Sequence, residues 1–62
     1  MTKQQLALKI TNVKKNIEEG YNSYDRLLSA GDEEKANKVA DYIDEREKTL
    51  EKLEEEYEEN FK

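Results

Sequence analysis

Ser29-Ala30-Gly31-Asp32-Glu33-Glu34 sits midway along the chain and sets how its two halves meet. Gly31 suits the left-handed residue that closes a helix and Asp32 suits the N-cap that opens another, so a stop and a start fall on adjacent residues. Glu33 and Glu34 then set negative charge against the positive end of the second helix. A connection this short leaves no slack, and long helices on either side of it must fold back against each other.

Upstream of this turn, Thr2 and Gln5 have the spacing of a capping box. From there Leu6, Ile10, Val13, Ile17, Gly20, Tyr24 and Leu27 form a heptad seam with a gap at Gly20. Downstream the seam reads Ala36, Val39, Ile43, Arg46, Leu50, Leu53, Tyr57 and Asn60, with Arg46 and Asn60 as polar interruptions. The pattern predicts an all-α chain, a coiled-coil-like antiparallel two-helix hairpin forming a single domain over residues 1–62. Its expected parts are helix over about 3–29, turn at 30–32 and helix over about 33–60.

Folding the seams about the turn sets Leu27 near Ala36, Gly20 near Ile43, Ile17 near Arg46 and Leu6 near Tyr57. A mid-helix glycine costs about 1 kcal/mol relative to alanine. Close packing against Ile43, against Tyr21 or against a partner explains Gly20, and a bend is the other reading. Arg46 is expected to snorkel or to pair with a nearby Glu, fixing register.

Charge supports the antiparallel arrangement. Residues 1–31 carry five basic and three acidic side chains, and residues 32–62 carry six basic and thirteen acidic ones. Lys3, Lys9, Lys14 and Lys15 oppose the dipole of the first helix, and the run of Glu from Glu51 to Glu59 opposes that of the second. Folding back brings the two clusters together, with Lys9 expected near Glu56 and Lys14 near Glu47.

A chain of 62 residues buries only about 60% of the surface that its unfolded form exposes. Without Cys or His, neither a disulfide nor a zinc cage is available to compensate, which leaves association. Outside the seam, Ala7, Tyr21, Leu28, Ala40 and Phe61 are expected on one flank, Tyr42 on the other and Leu8 on the back. The apolar surplus predicts self-association into a homodimeric four-helix bundle, docking on an unidentified protein, or both. Tyr21, Leu28, Ala40, Tyr42 and Phe61 are the expected interaction surface.

Several function classes are disfavoured. The chain offers no Cys or His as nucleophile, base or metal ligand, and no Gly-rich phosphate loop, so neither enzymatic activity nor a cofactor is expected. No apolar run approaches the roughly 20 residues of a membrane span, and the N-terminus leads into an amphipathic pattern instead of a signal sequence. With a pI near 4.7, direct contact with DNA or RNA is not expected. A cytoplasmic location follows as the default for a Cys-free chain, and the supply of Lys, Asn and Glu without Pro or Trp matches AT-rich coding such as that of a low-GC bacterium or its phage.

The run Ala30-Gly31-Asp32-Glu33-Glu34-Lys35-Ala36 resembles the turn-and-helix opening of helical-repeat proteins, tetratricopeptide repeats among them. Helices of about 28 residues are twice too long for that repeat, so the likeness covers turn chemistry and implies no family.

The function expected is that of a small non-enzymatic interaction factor: an adaptor, regulator or inhibitor. The alternative is an acidic nucleic-acid mimic that occupies a basic site on another protein through Glu51, Glu54, Glu55 and Glu58. A second alternative is a structural or assembly subunit of a larger particle.

Overall fold

The structure is a computed structural model and describes residues 1–61. It contains two α-helices, α1 over Lys3–Ser29 and α2 over Glu33–Phe61, and no strand among the described residues. The helices lie side by side in a rod of 44 × 15 × 14 Å, so the chain is a helical hairpin. Lys62, the last residue of the expected domain, lies outside the described residues.

Both helix starts are satisfied by side chains. Gln5 N–H donates to the Thr2 hydroxyl at 3.1 Å, and Thr2 N–H donates to the Gln5 side-chain oxygen at 2.9 Å, completing a reciprocal capping box. At the turn, Asp32 N–H donates to the Leu27 carbonyl at 2.9 Å and Gly31 N–H to the Leu28 carbonyl at 3.0 Å. This is a Schellman closure around Gly31, whose φ of 80° lies in the left-handed region. The Asp32 carboxylate in turn accepts from Lys35 N–H at 3.1 Å, so one residue closes α1 with its backbone and opens α2 with its side chain.

The seam forms the core. Leu6, Val13 and Leu53 are buried together, with Ile10, Ile17, Leu50, Tyr57 and Phe61 packed around them. Ala36 and Ile43 are the other buried apolar residues. The thickest part of the core is thus at the open end, where the helix termini have no covalent link. Gly20 is buried against Ile43, and a Cβ added there would stand 2.8 Å from Ile43 Cγ1. Close approach of the helices at Ile43 is therefore the reason for the glycine.

Three expectations change on contact with the structure. Asn60 is exposed and donates to the Glu56 carbonyl at 2.9 Å. Phe61, half-buried and 5.7 Å from the Tyr57 ring, covers the end of the seam in its place. No ion pair joins the helices among the described residues, where the only two are Lys35–Asp32 and Lys48–Asp44 within α2 and its cap. Neither Lys9–Glu56 nor Lys14–Glu47 forms. Lys3 instead lies 5.9 Å from the centroid of the Tyr57 ring, a cation–π contact across the open end. Arg46 is half-buried in the seam without a carboxylate partner, and its Nε is buried and unbonded.

Candidate interaction surface

Beside the seam, residues recurring every seven positions share one face of each helix. On α1 this row is Ala7, Lys14, Tyr21 and Leu28; on α2 it is Glu33, Ala40, Glu47, Glu54 and Phe61. The hairpin brings the two rows onto one flank. The Tyr21 hydroxyl donates to a Glu47 carboxylate oxygen at 2.9 Å, and Ala7 and Phe61 line a common groove. The phenol of Tyr21 is held above its ordinary pKa, first by that hydrogen bond, then by the negative charge of the same carboxylate.

The Tyr21–Glu47 contact also explains why Lys14 does not meet Glu47. Helical side chains lean toward the N-terminus of their own helix, so in an antiparallel pair flank partners are staggered along the axis and do not sit level. Tyr21, about two turns nearer the hairpin turn than Lys14, leans outward onto Glu47. Glu47 is thus the residue of this candidate surface that a level pairing of the seams misses, and the stagger is the signal that finds it.

Two grooves run along this flank. The one at the open end, about 500 Å³, has Ile10, Tyr57 and Phe61 as apolar floor, with Glu54 and Glu58 at its edge. The second lies midway, between Tyr21 and Tyr24 on α1 and Ala40, Ile43, Asp44 and Glu47 on α2. Tyr21 and Leu28 remain 49% and 44% exposed, so the hairpin's own core does not cover them. Ala40 and Phe61 are half-buried and line the grooves.

Charge is divided unevenly between the flanks. One row outward from the groove-lining residues, Glu18 and Asp25 on α1 and Asp44, Glu51 and Glu58 on α2 join Glu33, Glu47 and Glu54. Lys14 is the one cation in these rows, with Lys3 close by over the Tyr57 ring of the open-end groove, so the rows, at eight carboxylates to one lysine, are more negative than the whole chain, whose net charge is −5. The opposite flank mixes Lys9, Arg26, Lys35, Lys38 and Lys52 with Glu19, Glu45, Glu56 and Glu59. Tyr42 sits there, 45% exposed, beside a smaller groove with Gly20, Ser23 and Val39, and a further apolar groove of about 550 Å³ lies toward the turn between Ser23, Arg26, Leu27, Ala30 and Val39. The expected interaction residues therefore fall on two surfaces: Tyr21, Leu28, Ala40 and Phe61 on the acidic flank, and Tyr42 alone on the mixed one. Of the expected acidic docking set, Glu51, Glu54 and Glu58 share the acidic flank, whereas Glu55 falls on the back of α2 with Lys48. Leu8, 64% exposed, is on the back of α1.

Among the described residues no group of three or more His, Cys, Asp or Glu side chains is placed to hold a metal ion, and no helix is long and apolar enough to cross a membrane. Comparison of the chain with protein-family models, with curated proteins and with solved structures finds no match to any of them.

Proposed function

We propose that the hairpin is a non-enzymatic protein-interaction factor, an adaptor, regulator or inhibitor that binds a partner protein through its grooved flank. The observation that supports this reading most is that Tyr21 and Leu28 stay exposed on the same flank where Ala40 and Phe61, half-buried, line two apolar grooves. Large side chains left this exposed on a two-helix layer, which has no third element to cover them, mark a contact surface. The test is affinity capture from the native host with the intact chain and with Tyr21→Ser, Leu28→Ser and Phe61→Ser variants. Partners retained by the intact chain and lost from the variants support the reading; identical captured sets contradict it.

Doubling into a four-helix homodimer belongs to the same proposal, and charge restricts where it occurs. An isologous contact brings the same patch of both copies together, which on the acidic flank would set carboxylate rows against carboxylate rows. The mixed flank around Tyr42 carries no such penalty, so self-association uses that side. Sedimentation of Tyr42→Glu checks it: loss of a dimer supports the mixed-flank interface, and loss on Phe61→Ser instead contradicts it.

The acidic-mimic reading retains support from one observation, the gathering of carboxylates on a single flank. It differs in its dependence on apolar groups. Charge mimicry requires Glu51, Glu54 and Glu58 and is indifferent to Leu28, whereas groove docking needs both kinds of residue.

A further inference from the structure

We infer that the occupant of the acidic flank is a basic amphipathic helix of a partner protein, laid lengthwise so that its apolar side chains enter the two grooves and its Lys or Arg side chains meet their carboxylate rims. The inference rests on the interaction reading above and names the chemistry of the partner.

The grooves set the first requirement. Their floors are apolar and aromatic, from Ile10, Tyr57 and Phe61 in one to Tyr24 and Ile43 in the other, while Glu54 and Glu58 edge the first and Asp44 and Glu47 the second. A ligand complementary to a greasy floor between acidic edges is apolar along one stripe and cationic on both sides of it. Length sets the second. Ala40 and Phe61 lie in the two grooves on one face of α2, about 32 Å apart at 1.5 Å per residue, so a continuous helix of about 20 residues reaches both.

Charge complementarity selects among possible occupants. The edge carboxylates are scarcely neutralised within the chain: among the described residues Asp44 pairs with Lys48 at 3.4 Å and Glu47 accepts from Tyr21, while Glu51, Glu54 and Glu58 have no cation within pairing distance. A second copy meeting this flank with its own would double the negative charge. Nucleic acid and anionic lipid surfaces are repelled for the same reason. A basic helix gains on both counts, since the field draws it in and the grooves retain it.

The probe is a synthetic Leu/Lys helix of about 20 residues with Leu on one face, titrated against the full chain by calorimetry at physiological and at high salt. Two control peptides accompany it, one with the same residues in scrambled order and one with Glu in place of Lys. Saturable one-to-one binding is expected for the ordered Leu/Lys peptide, at least about tenfold weaker binding for the scrambled one and none for the Leu/Glu one. Replacing Glu47, Glu54 and Glu58 together by Gln is expected to weaken binding about tenfold. That variant relieves repulsion between Glu54 and Glu58, and circular dichroism and thermal unfolding of the free chain, run on it and on Phe61→Ser, separate lost binding from lost fold. Phe61→Ser is expected to weaken binding similarly, and Tyr42→Ser to leave it unchanged. Equal binding of the scrambled peptide, an unaffected triple variant or a dominant effect of Tyr42→Ser overturns the inference. Failure of the Leu/Lys peptide, with host partners still lost on Tyr21→Ser and Leu28→Ser, overturns the basic-helix occupant and leaves the interaction reading standing.

Discussion

At the residue scale, two glycines have opposite reasons, and substitution separates them. Gly31 has nothing within 4 Å of an added Cβ but a φ of +80°, so Gly31→Ala is expected to cost about 1 kcal/mol through backbone strain alone, measurable by thermal or urea unfolding. Gly20 has ordinary helical backbone and an Ile43 side chain in the way. Gly20→Ala is therefore expected to destabilise by about 1 kcal/mol, as overpacking at Ile43 exceeds the gain in helix propensity. In an Ile43→Ala background the same change has room and is expected to stabilise by about 1 kcal/mol. A sign that fails to reverse contradicts close packing as the reason for Gly20. Arg46 leaves a buried Nε without a partner, so Arg46→Met, similar in length and apolar, is expected to raise stability by about 1 kcal/mol. Tyr21 titrates above the usual tyrosine range because its proton is held by Glu47. A raised folded-state pKa means that this contribution is whole below about pH 10 and is lost as pH rises through the folded value. Phenolate absorbance should show the Tyr21 component missing in Tyr21→Phe and moved to lower pH in Glu47→Gln.

At the element scale, helix and turn were largely legible in the sequence because each local signal is self-contained. Thr2 and Gln5 form their capping box, Gly31 takes the left-handed conformation, and Asp32 caps α2 as its spacing implies. The seam periodicity marked Leu6, Val13, Ala36, Ile43 and Leu53, all buried. What was not legible depends on how side chains lean between helices. A level pairing of the seams matched Lys14 to Glu47, while the stagger gives Glu47 to Tyr21. Asn60 fits the seam spacing and is nonetheless exposed, because near the end of α2 Phe61 competes for the same cover and is far more apolar. The acidic helix retains a local conflict: Glu51, Glu55 and Glu59 stand four apart, all exposed, and among the described residues no Lys or Arg forms an ion pair with them. Glu55→Lys turns two like-charge pairs into opposite ones, with an expected gain of about 0.5–1 kcal/mol at low salt that shrinks on adding salt.

At the scale of the whole molecule, the hairpin is a rod with two unlike long faces. The candidate surface was partly legible: heptad phase separated Tyr21, Leu28, Ala40 and Phe61 from Tyr42, since phase alone decides the flank of a helix. The division of charge became visible only once both rows were set side by side, because it belongs to neither helix separately. Open-end packing of Leu6, Val13 and Leu53 holds the rows together far from the covalent turn. Leu53→Ala is accordingly expected to cost about 2–3 kcal/mol and to loosen both helix termini together, detectable as lost amide-exchange protection at residues of α1 and α2 alike.

The acidic flank exists only if α1 and α2 lie antiparallel, and the distance between spin labels at residues 3 and 58 tests that most directly. With Lys3 placed over the Tyr57 ring and packed helices generally about 8–10 Å apart between axes, the labels are expected within about 20 Å of each other. A separation of about 80 Å, that of one uninterrupted helix between those positions, would contradict it.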